Sequence, residues 1–299
     1  MAQAPHDAPG PQKAQDAAPD ANEAGQNSPH LDEGEKSQAA DHSSPHALIL
    51  HEIVREEGEA ALERDSGALM WSALAAGLSM GFSFVGLAIM RAYLPQAHWT
   101  PLVASFGYSI GFVIVVLGKQ QLFTESTLTV VLPVLTRRDW PTLKSALRVW
   151  AIVLVVNLIG TAIFAALLAV HGLFDDDVVH AMHEIAGETI AHPFGLTFLK
   201  ALLAGWLIAL MVWLLPSARS GRLVTVMLIT YVVAVAKLSH IIAGSVEASY
   251  GVITGVMPIG AYFASFLLPT LLGNVLGGIS LVGLLNHAAI APEIRDDGG

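Results

Sequence analysis

The sequence predicts an all-α membrane protein: six transmembrane helices arranged as a 3+3 inverted repeat, with the second and fifth helices broken. Three observations lead to this class. Hydrophobic residues make up 54% of the chain and charged residues 13%, whereas a soluble protein carries about 25% charged residues. Beyond residue 66 lie several apolar runs long enough to cross a bilayer, which takes about 20 helical residues at about 1.5 Å each. Two polar islands, Gly118–Thr127 and Lys237–Glu247, interrupt two of these runs. Ionisable groups are expensive at membrane depth, and non-helical backbone persists there only where it lines a cavity or is buried in protein. Each island therefore marks a break in a spanning helix.

Composition also excludes functions. The chain has no cysteine, so disulfides, thiolate metal sites and cysteine catalysis are out. The formal charge of −10 comes in large part from an acidic N-terminal tail, and charge blocks of this kind are ordinarily solvated. No nucleic-acid partner and no cofactor is called for.

Residues 1–45 are rich in Ala, Pro, Asp, Gln, Ser and Gly. They bury too little surface to offset chain entropy and are expected to form a disordered, acidic, cytoplasmic tail. They hold no apolar stretch of the signal-peptide kind, so the first span is expected to act as its own insertion signal. His6, His30, His42 and His46 are irregularly spaced and predict no metal site. Residues 46–66 change character. Leu48, Ile49, Ile53, Val54, Ala60 and Ala61 recur at helical spacing between acidic residues, which predicts a short amphipathic helix on the cytoplasmic side. Its acidic polar face suits docking onto protein better than onto anionic lipid.

A six-span membrane domain over 67–290 follows, with a short cytoplasmic tail over 291–299. Span one, Gly67 to Met90, carries a small-residue ridge at Gly77 and Gly81 that lets helices approach closely. Span two is apolar from Pro101 to Leu117, breaks at the first island, and resumes from Leu128 to Leu135. Neither half is expected to span alone. Thr124 is placed to cap the second half, with Glu125 in its first turn. Span three, Leu143 to Val170, contains Asn157. The loop 171–193 contains Asp175, Asp176, Asp177, Glu184 and Glu188. His180 and His183 share a helical face there but lack a third ligand at fixed spacing, so no metal is expected. Span four is Phe194 to Leu215. Span five runs from Leu223, breaks at the second island, and resumes near Ser245. Span six, Gly260 to His287, contains Asn274. Lysine and arginine concentrate in the loops after spans two and four, which places both termini in the cytoplasm. Arg91 alone dissents.

Span three contains Asn157-Leu-Ile-Gly160 and span six Asn274-Val-Leu-Gly277. Each half thus reads as plain helix, broken helix, then helix with Asn-x-x-Gly. Three spans per half make the halves antiparallel, and paired interruptions in inverted halves point to a binding site or pore.

At these residues the chain resembles the formate/nitrite transporter family, over roughly residues 67–288. Leu122-Phe123-Thr124 matches the family's Leu-Phe-Thr in the first break. His240, with Ile242 and Ala243, matches its central histidine. Asn157 and Asn274 match its asparagines in the third and sixth spans. Lys119-Gln120-Gln121, Lys237 and Gly244 depart from the usual pattern and mark a divergent branch. The resemblance implies an aquaporin-like fold, a homopentamer with a pore in each protomer, and residence in the cell's inner or plasma membrane. It implies transport of a small monovalent anion such as formate or nitrite, with protons as a second partner and the lipid bilayer as surroundings.

In that setting an anion loses hydration on entering the pore, at a cost of several kcal/mol. Positive ends of half-helices near Thr124 and Ser245 would offset part of it. His240 would stand where a proton can reach the anion, with Thr124 hydrogen-bonded to it or to the substrate. Leu122 and Phe123 would form an apolar constriction, with Tyr108 and Phe112 as further candidates. Lys119 and Lys237 either attract anions or form buried ion pairs with Glu125 and Glu247. Asn157 and Asn274 are expected to tie down the broken loops. One alternative within transport is a channel for a neutral solute or undissociated acid. Another is a membrane interaction protein with a degenerate pore. No enzyme is expected: Ser239 adjoins His240 without a Gly-x-Ser-x-Gly elbow.

Overall fold

A computed structural model describes residues 28–42, 47–284 and 288. Most of the expected 1–45 tail, the 291–299 tail and the end of span six at 285–287 lie outside the described residues. The chain divides into two units, Met1–His46 and Ala47–Gly299.

In the first unit a helix, α1 (Glu33–His42), occupies part of the stretch expected to lack structure. A capping box explains its start. Glu35 N donates to Asp32 Oδ1 at 2.8 Å, and Asp32 N donates to Glu35 Oε2 at 2.9 Å, so two otherwise orphaned amides are satisfied.

The second unit is all-helical among the described residues. It contains α2 (Ala47–Glu63), α3 (Ser66–Tyr93), α4 (Thr100–Leu117), α5 (Phe123–Thr129), α6 (Val131–Arg137), α7 (Trp140–Leu168), α8 (Asp176–Glu188), α9 (Phe194–Leu214), α10 (Arg222–Val235) and α11 (Ile241–Ile253). A last helical segment, α12 (Ile259–Ser280), completes it. Among the described residues, five helices are long and apolar enough to cross a bilayer: α3, α4, α7, α9 and α12. The fifth span is α10 followed by α11, with 14 and 13 residues. The first half of span two is longer than the sequence reading allows. Helix α4 begins one residue earlier, at Thr100, and its 18 residues, about 27 Å of rise, are enough to cross by themselves, against the expectation that neither half spans alone.

Both breaks begin in the same way. At the end of α4, Gln120 N donates to Val115 O and Lys119 N to Val116 O, at 3.0 and 3.2 Å. At the end of α10, Leu238 N donates to Val233 O and Lys237 N to Ala234 O, at 2.9 and 3.0 Å. These are Schellman closures, whose left-handed residue is usually glycine. Here it is a lysine each time: Lys119 at φ 51° and Lys237 at φ 49°.

Both breaks end in the same way too. Phe123 N donates to Asn157 Oδ1 at 2.9 Å, and Ile241 N donates to Asn274 Oδ1 at 2.8 Å. The Asn157 amide donates to Ala73 O and Gln121 O, at 2.7 and 3.1 Å. The Asn274 amide donates to Ala201 O and Ser239 O, at 2.7 and 2.9 Å. Each asparagine thus joins a plain helix, a broken loop and the next half-helix. Glycine makes this possible. A Cβ at Gly77 would overlap the Asn157 carbonyl oxygen, and one at Gly205 would overlap that of Asn274. The spacing from bonded alanine to glycine is the same in both halves, Ala73 to Gly77 and Ala201 to Gly205.

The amphipathic helix α2 packs against this bundle with Val54, Ala61 and Leu62 buried. Gly58 sits on the Thr129 carbonyl, which a Cβ there would overlap. Pro133, four residues on, lacks the amide that would otherwise claim that carbonyl. Arg148 donates to Leu62 O and Arg64 O at the far end of α2, at 2.7 and 3.2 Å, where a cation suits the helix dipole. Helix α8 lies where sequence predicts a loop. Val178, Ala181, Met182, Ile185 and Ala186 form its buried face.

Replacing Asn274 with Ala strands one buried amide and two carbonyls, at about 1–3 kcal/mol each. The purified N274A protein should unfold several degrees below wild type in a thermal scan, while Leu228→Ala, on an exposed face, should not. Equal midpoints for N274A and wild type would contradict the latch.

Candidate functional site

The breaks bring His240 and Thr124 together. His240 is the N-cap of α11 and Leu122 the N-cap of α5, both in extended backbone. The second half-helix therefore starts at Ile241, not near Ser245. The apolar run Ile241–Ala243 can join the helix because its amides find acceptors. Ile241 N has Asn274. Ile242 N and Ala243 N donate to His240 Nδ1 at 3.3 and 3.2 Å. Thr124 is not a cap either, since α5 has already begun at Phe123. Its hydroxyl lies instead 2.9 Å from His240 Nε2.

This geometry assigns the imidazole tautomer. Nδ1 accepts from backbone amides, so the ring proton sits on Nε2. Nε2–H then donates to Thr124 Oγ1, and the threonine's own proton is free for another acceptor.

The apolar candidates surround this pair. Phe112 meets the His240 ring edge-to-face with centroids 4.9 Å apart. Tyr108 and Phe112 are 5.3 Å apart. Phe112 and Leu122 are fully buried, and Phe123 nearly so. Phe123 also leans on Trp150, at 6.1 Å between ring centroids.

Two cavities flank the buried group. The larger, of about 320 Å³, is lined by His240, Tyr108, Arg91, Glu188, Lys237 and Lys200, among others. It opens where α3 ends, α8 lies and α9 begins. The smaller, of about 90 Å³, is lined by Glu57, Lys119, Glu125, Thr129 and Arg222, among others. It opens where α9 ends and α10 begins, at the opposite end of the bundle.

The lysines are not paired as sequence suggests. Lys119 Nζ lies 3.0 Å from Glu57 Oε1, and Lys237 Nζ lies 3.0 Å from Glu188 Oε2. Glu125 and Glu247 are not their partners, and neither pair is deeply buried. The left-handed residue ending each first half-helix sends its side chain outward, to α2 in one case and α8 in the other. Glu125 and Glu247 line the cavity walls instead, one on each side.

Several residues escape the sequence reading. Glu188 also takes both Arg91 guanidinium arms, at 2.9 and 3.2 Å. Lys200 Nζ lies 2.8 Å from His192 Nε2. Phe266 fills the space above Gly244 and lines the larger cavity. Arg91 carried a signal, as the one basic residue in its loop. Phe266 carried none.

A formate/nitrite transporter family profile matches residues 49–288. The chain belongs to the formate/nitrite transporter family. It is similar to the inner membrane protein YfdC of Escherichia coli (strain K12), at 38% identity over 251 residues, covering 84% of this chain and 80% of that protein. It is similar to the formate channel BtFdhC of Bacillus thuringiensis, at 25% identity over 246 residues, covering 80% of this chain and 93% of the other. Among solved structures, a pentameric formate channel with formate bound shares its fold. The TM-score is 0.66 at 23% identity, over 76% of this chain and 98% of that one. The all-α membrane fold read from sequence is therefore shared with this family of transporters.

Partial burial pushes the Glu188 carboxyl up, but Arg91 and Lys237 outweigh it and hold it below the usual carboxylate range. A carboxyl depressed in the folded state contributes stability above its unfolded pKa, and loses it as pH falls through the folded value. Thermal midpoints measured downward from pH 6 should drop more steeply in wild type than in Glu188→Gln. Parallel curves would contradict this.

Proposed function

We propose that the protein is a channel for small monovalent anions of weak acids, formate- or nitrite-like, with passage linked to protons through His240. The observation that carries this reading is the His240–Thr124 contact, buried between two cavities at the meeting of two broken helices. Anions gather in the larger cavity, whose wall holds Arg91, Lys200 and Lys237. A carboxylate oxygen reaching the centre takes a hydrogen bond from the Thr124 hydroxyl, whose oxygen is already engaged by Nε2–H. The barrier of Leu122, Phe112 and Phe123 is uncharged and favours the neutral acid over its anion.

The α11 amides contribute less than their position suggests, because Asn274 and His240 already use the first three. What remains is the field of the helix dipole. Proton linkage also takes a particular form. The imidazole can hand on a proton and stay neutral only if Nδ1 is protonated as well. That requires the Ile242 and Ala243 amides to leave it, so proton transfer is coupled to the first turn of α11.

Likeness to a formate channel and to a pentameric structure supports extending the anion class and a homopentamer to this chain. Placement in a cell's inner membrane, with both termini cytoplasmic, rests on the relative named for that membrane and on the lysine and arginine pattern. The 46–66 segment is then a cytoplasmic helix under the 67–290 channel domain. An uncharged constriction also suits a neutral solute, and the test includes one.

The protein is reconstituted in liposomes, and uptake of formate, nitrite and glycerol is measured from pH 5 to pH 8. Formate uptake should rise on acidification. His240→Asn, which retains a side-chain cap, should lose that rise. Retained acid stimulation in His240→Asn would remove proton linkage through the histidine, and glycerol uptake without formate uptake would sink the anion reading.

A further inference from the structure

Two carboxyls on the helices that carry the His240–Thr124 pair are left without a partner. Glu125 follows Thr124 on α5 and lines the smaller cavity. Its Oε1 is buried and accepts no hydrogen bond among the described residues. Glu247 lies on α11 and lines the larger cavity together with His240 and Gly244. Those three positions are spaced as i, i+4 and i+7, which places them on one helical face.

The charged groups around each carboxyl are engaged elsewhere. Arg91 of α3 and Lys237 after α10 both hold Glu188 of α8, at 2.9 and 3.0 Å. Lys200 of α9 lies 2.8 Å from His192 Nε2. Tyr108 of α4 is the other titratable side chain in that wall, and α12 offers only Phe266. Around Glu125, Lys119 holds Glu57 of α2 at 3.0 Å, and Arg222 Nε of α10 donates to Leu215 O at 3.3 Å. Among the described residues, no ion pair reaches Glu125 or Glu247.

A carboxylate left ionised and unpaired in such a place is costly and repels an approaching anion. A protonated carboxyl does neither, and it holds a proton that an anion can take. The imidazole is less free to supply one. Its Nε2 lies against Thr124, and its Nδ1 is occupied by the Ile242 and Ala243 amides.

We propose that Glu125 and Glu247 are proton-exchange groups, one on each side of the buried pair, that protonate a weak-acid anion before it crosses and deprotonate the acid afterwards. The proposal rests on the channel reading above and assigns its first and last proton transfers; His240 acts between them. For formate entering from the larger cavity, the Glu247 O–H bond breaks and the proton bonds to a formate oxygen. Donor and acceptor are both carboxyl groups losing water in the same place, so their proton affinities shift together. Formic acid crosses neutral. Glu125, having released its own proton to water in the smaller cavity, takes the acid's proton, and formate leaves. Water in the larger cavity then reprotonates Glu247. One proton crosses with each anion, and the opposite direction runs the same steps in reverse.

The test uses the full chain in liposomes, with uptake of radiolabelled formate measured from pH 5 to pH 8. Glu247→Gln and Glu125→Gln keep size and polarity but carry no exchangeable acid. Each should lower uptake about ten-fold at pH 8, where water supplies few protons, and the deficit should shrink towards pH 5. That factor is below the usual gain from a positioned acid, because protons from water make up the remainder. Glu→Asp at either site should restore most of the uptake at pH 8. In infrared spectra at pH 7, the wild-type protein should show a protonated-carboxyl C=O band that weakens in each glutamine variant.

Glutamine variants with the wild-type pH profile would overturn the proposal. Faster uptake at every pH would make the glutamates ionised barriers and overturn it too. So would an equal loss at every pH with a lower thermal midpoint, which is the mark of a structural role, or an infrared band that neither variant weakens. In all four cases wild-type uptake leaves the channel standing. Wild-type protein that takes up no formate at any pH would remove the channel reading, and the proposal with it.

Discussion

Two side-chain amides hold this molecule's breaks in place. A helix broken at membrane depth exposes amides and carbonyls that lipid cannot satisfy. Asn157 and Asn274 meet that demand, each accepting from the first amide of a half-helix and donating to two carbonyls. Gly77 and Gly205 allow the backbones close enough for it. Without these latches, α5 and α11 have no reason to begin where they do, and His240 and Thr124 have no reason to meet.

The latches also determine where charge resides. They consume amides that would otherwise face the centre, and His240 Nδ1 consumes two more. At α11 the first three amides are thus taken, and the His240–Thr124 pair stands beside the apolar side chains of Phe112, Leu122 and Phe123. Fixed cations sit outside this centre, in the cavities, on the residues that end the first half-helices. In the proposed channel, anions would be drawn to the cavities and the uncharged waist would favour the neutral acid. The central pair offers a hydrogen bond between the two.

The sequence made the latches legible because both halves repeat them. Asn-x-x-Gly recurs at nearly the same distance from each polar island, and polar islands stand out in apolar runs. Local detail was harder to read. Ile241 to Ala243 look like ordinary apolar residues, and only the imidazole's position shows that the helix has already begun there. Thr124 looks like a cap because threonine caps helices; the bond from Phe123 to Asn157 starts the helix earlier. Helix α8 hid in a loop because its apolar face is short and its acidic residues dominate. Glu57 and Glu188, as partners of the lysines, were invisible because those contacts span 62 and 49 residues with no pattern linking their ends. The helix at Glu33–His42 depends on a capping box that composition alone does not weigh.

The proposed site depends on how His240 is held. Protein labelled with 15N-histidine, compared with His240→Asn to assign the signal, reports which ring nitrogen carries the proton. The expected result at pH 7 is a neutral ring, protonated on Nε2 and bare on Nδ1. A proton on Nδ1 would mean that the imidazole neither caps α11 nor donates to Thr124, and the proposed site would have to be rebuilt.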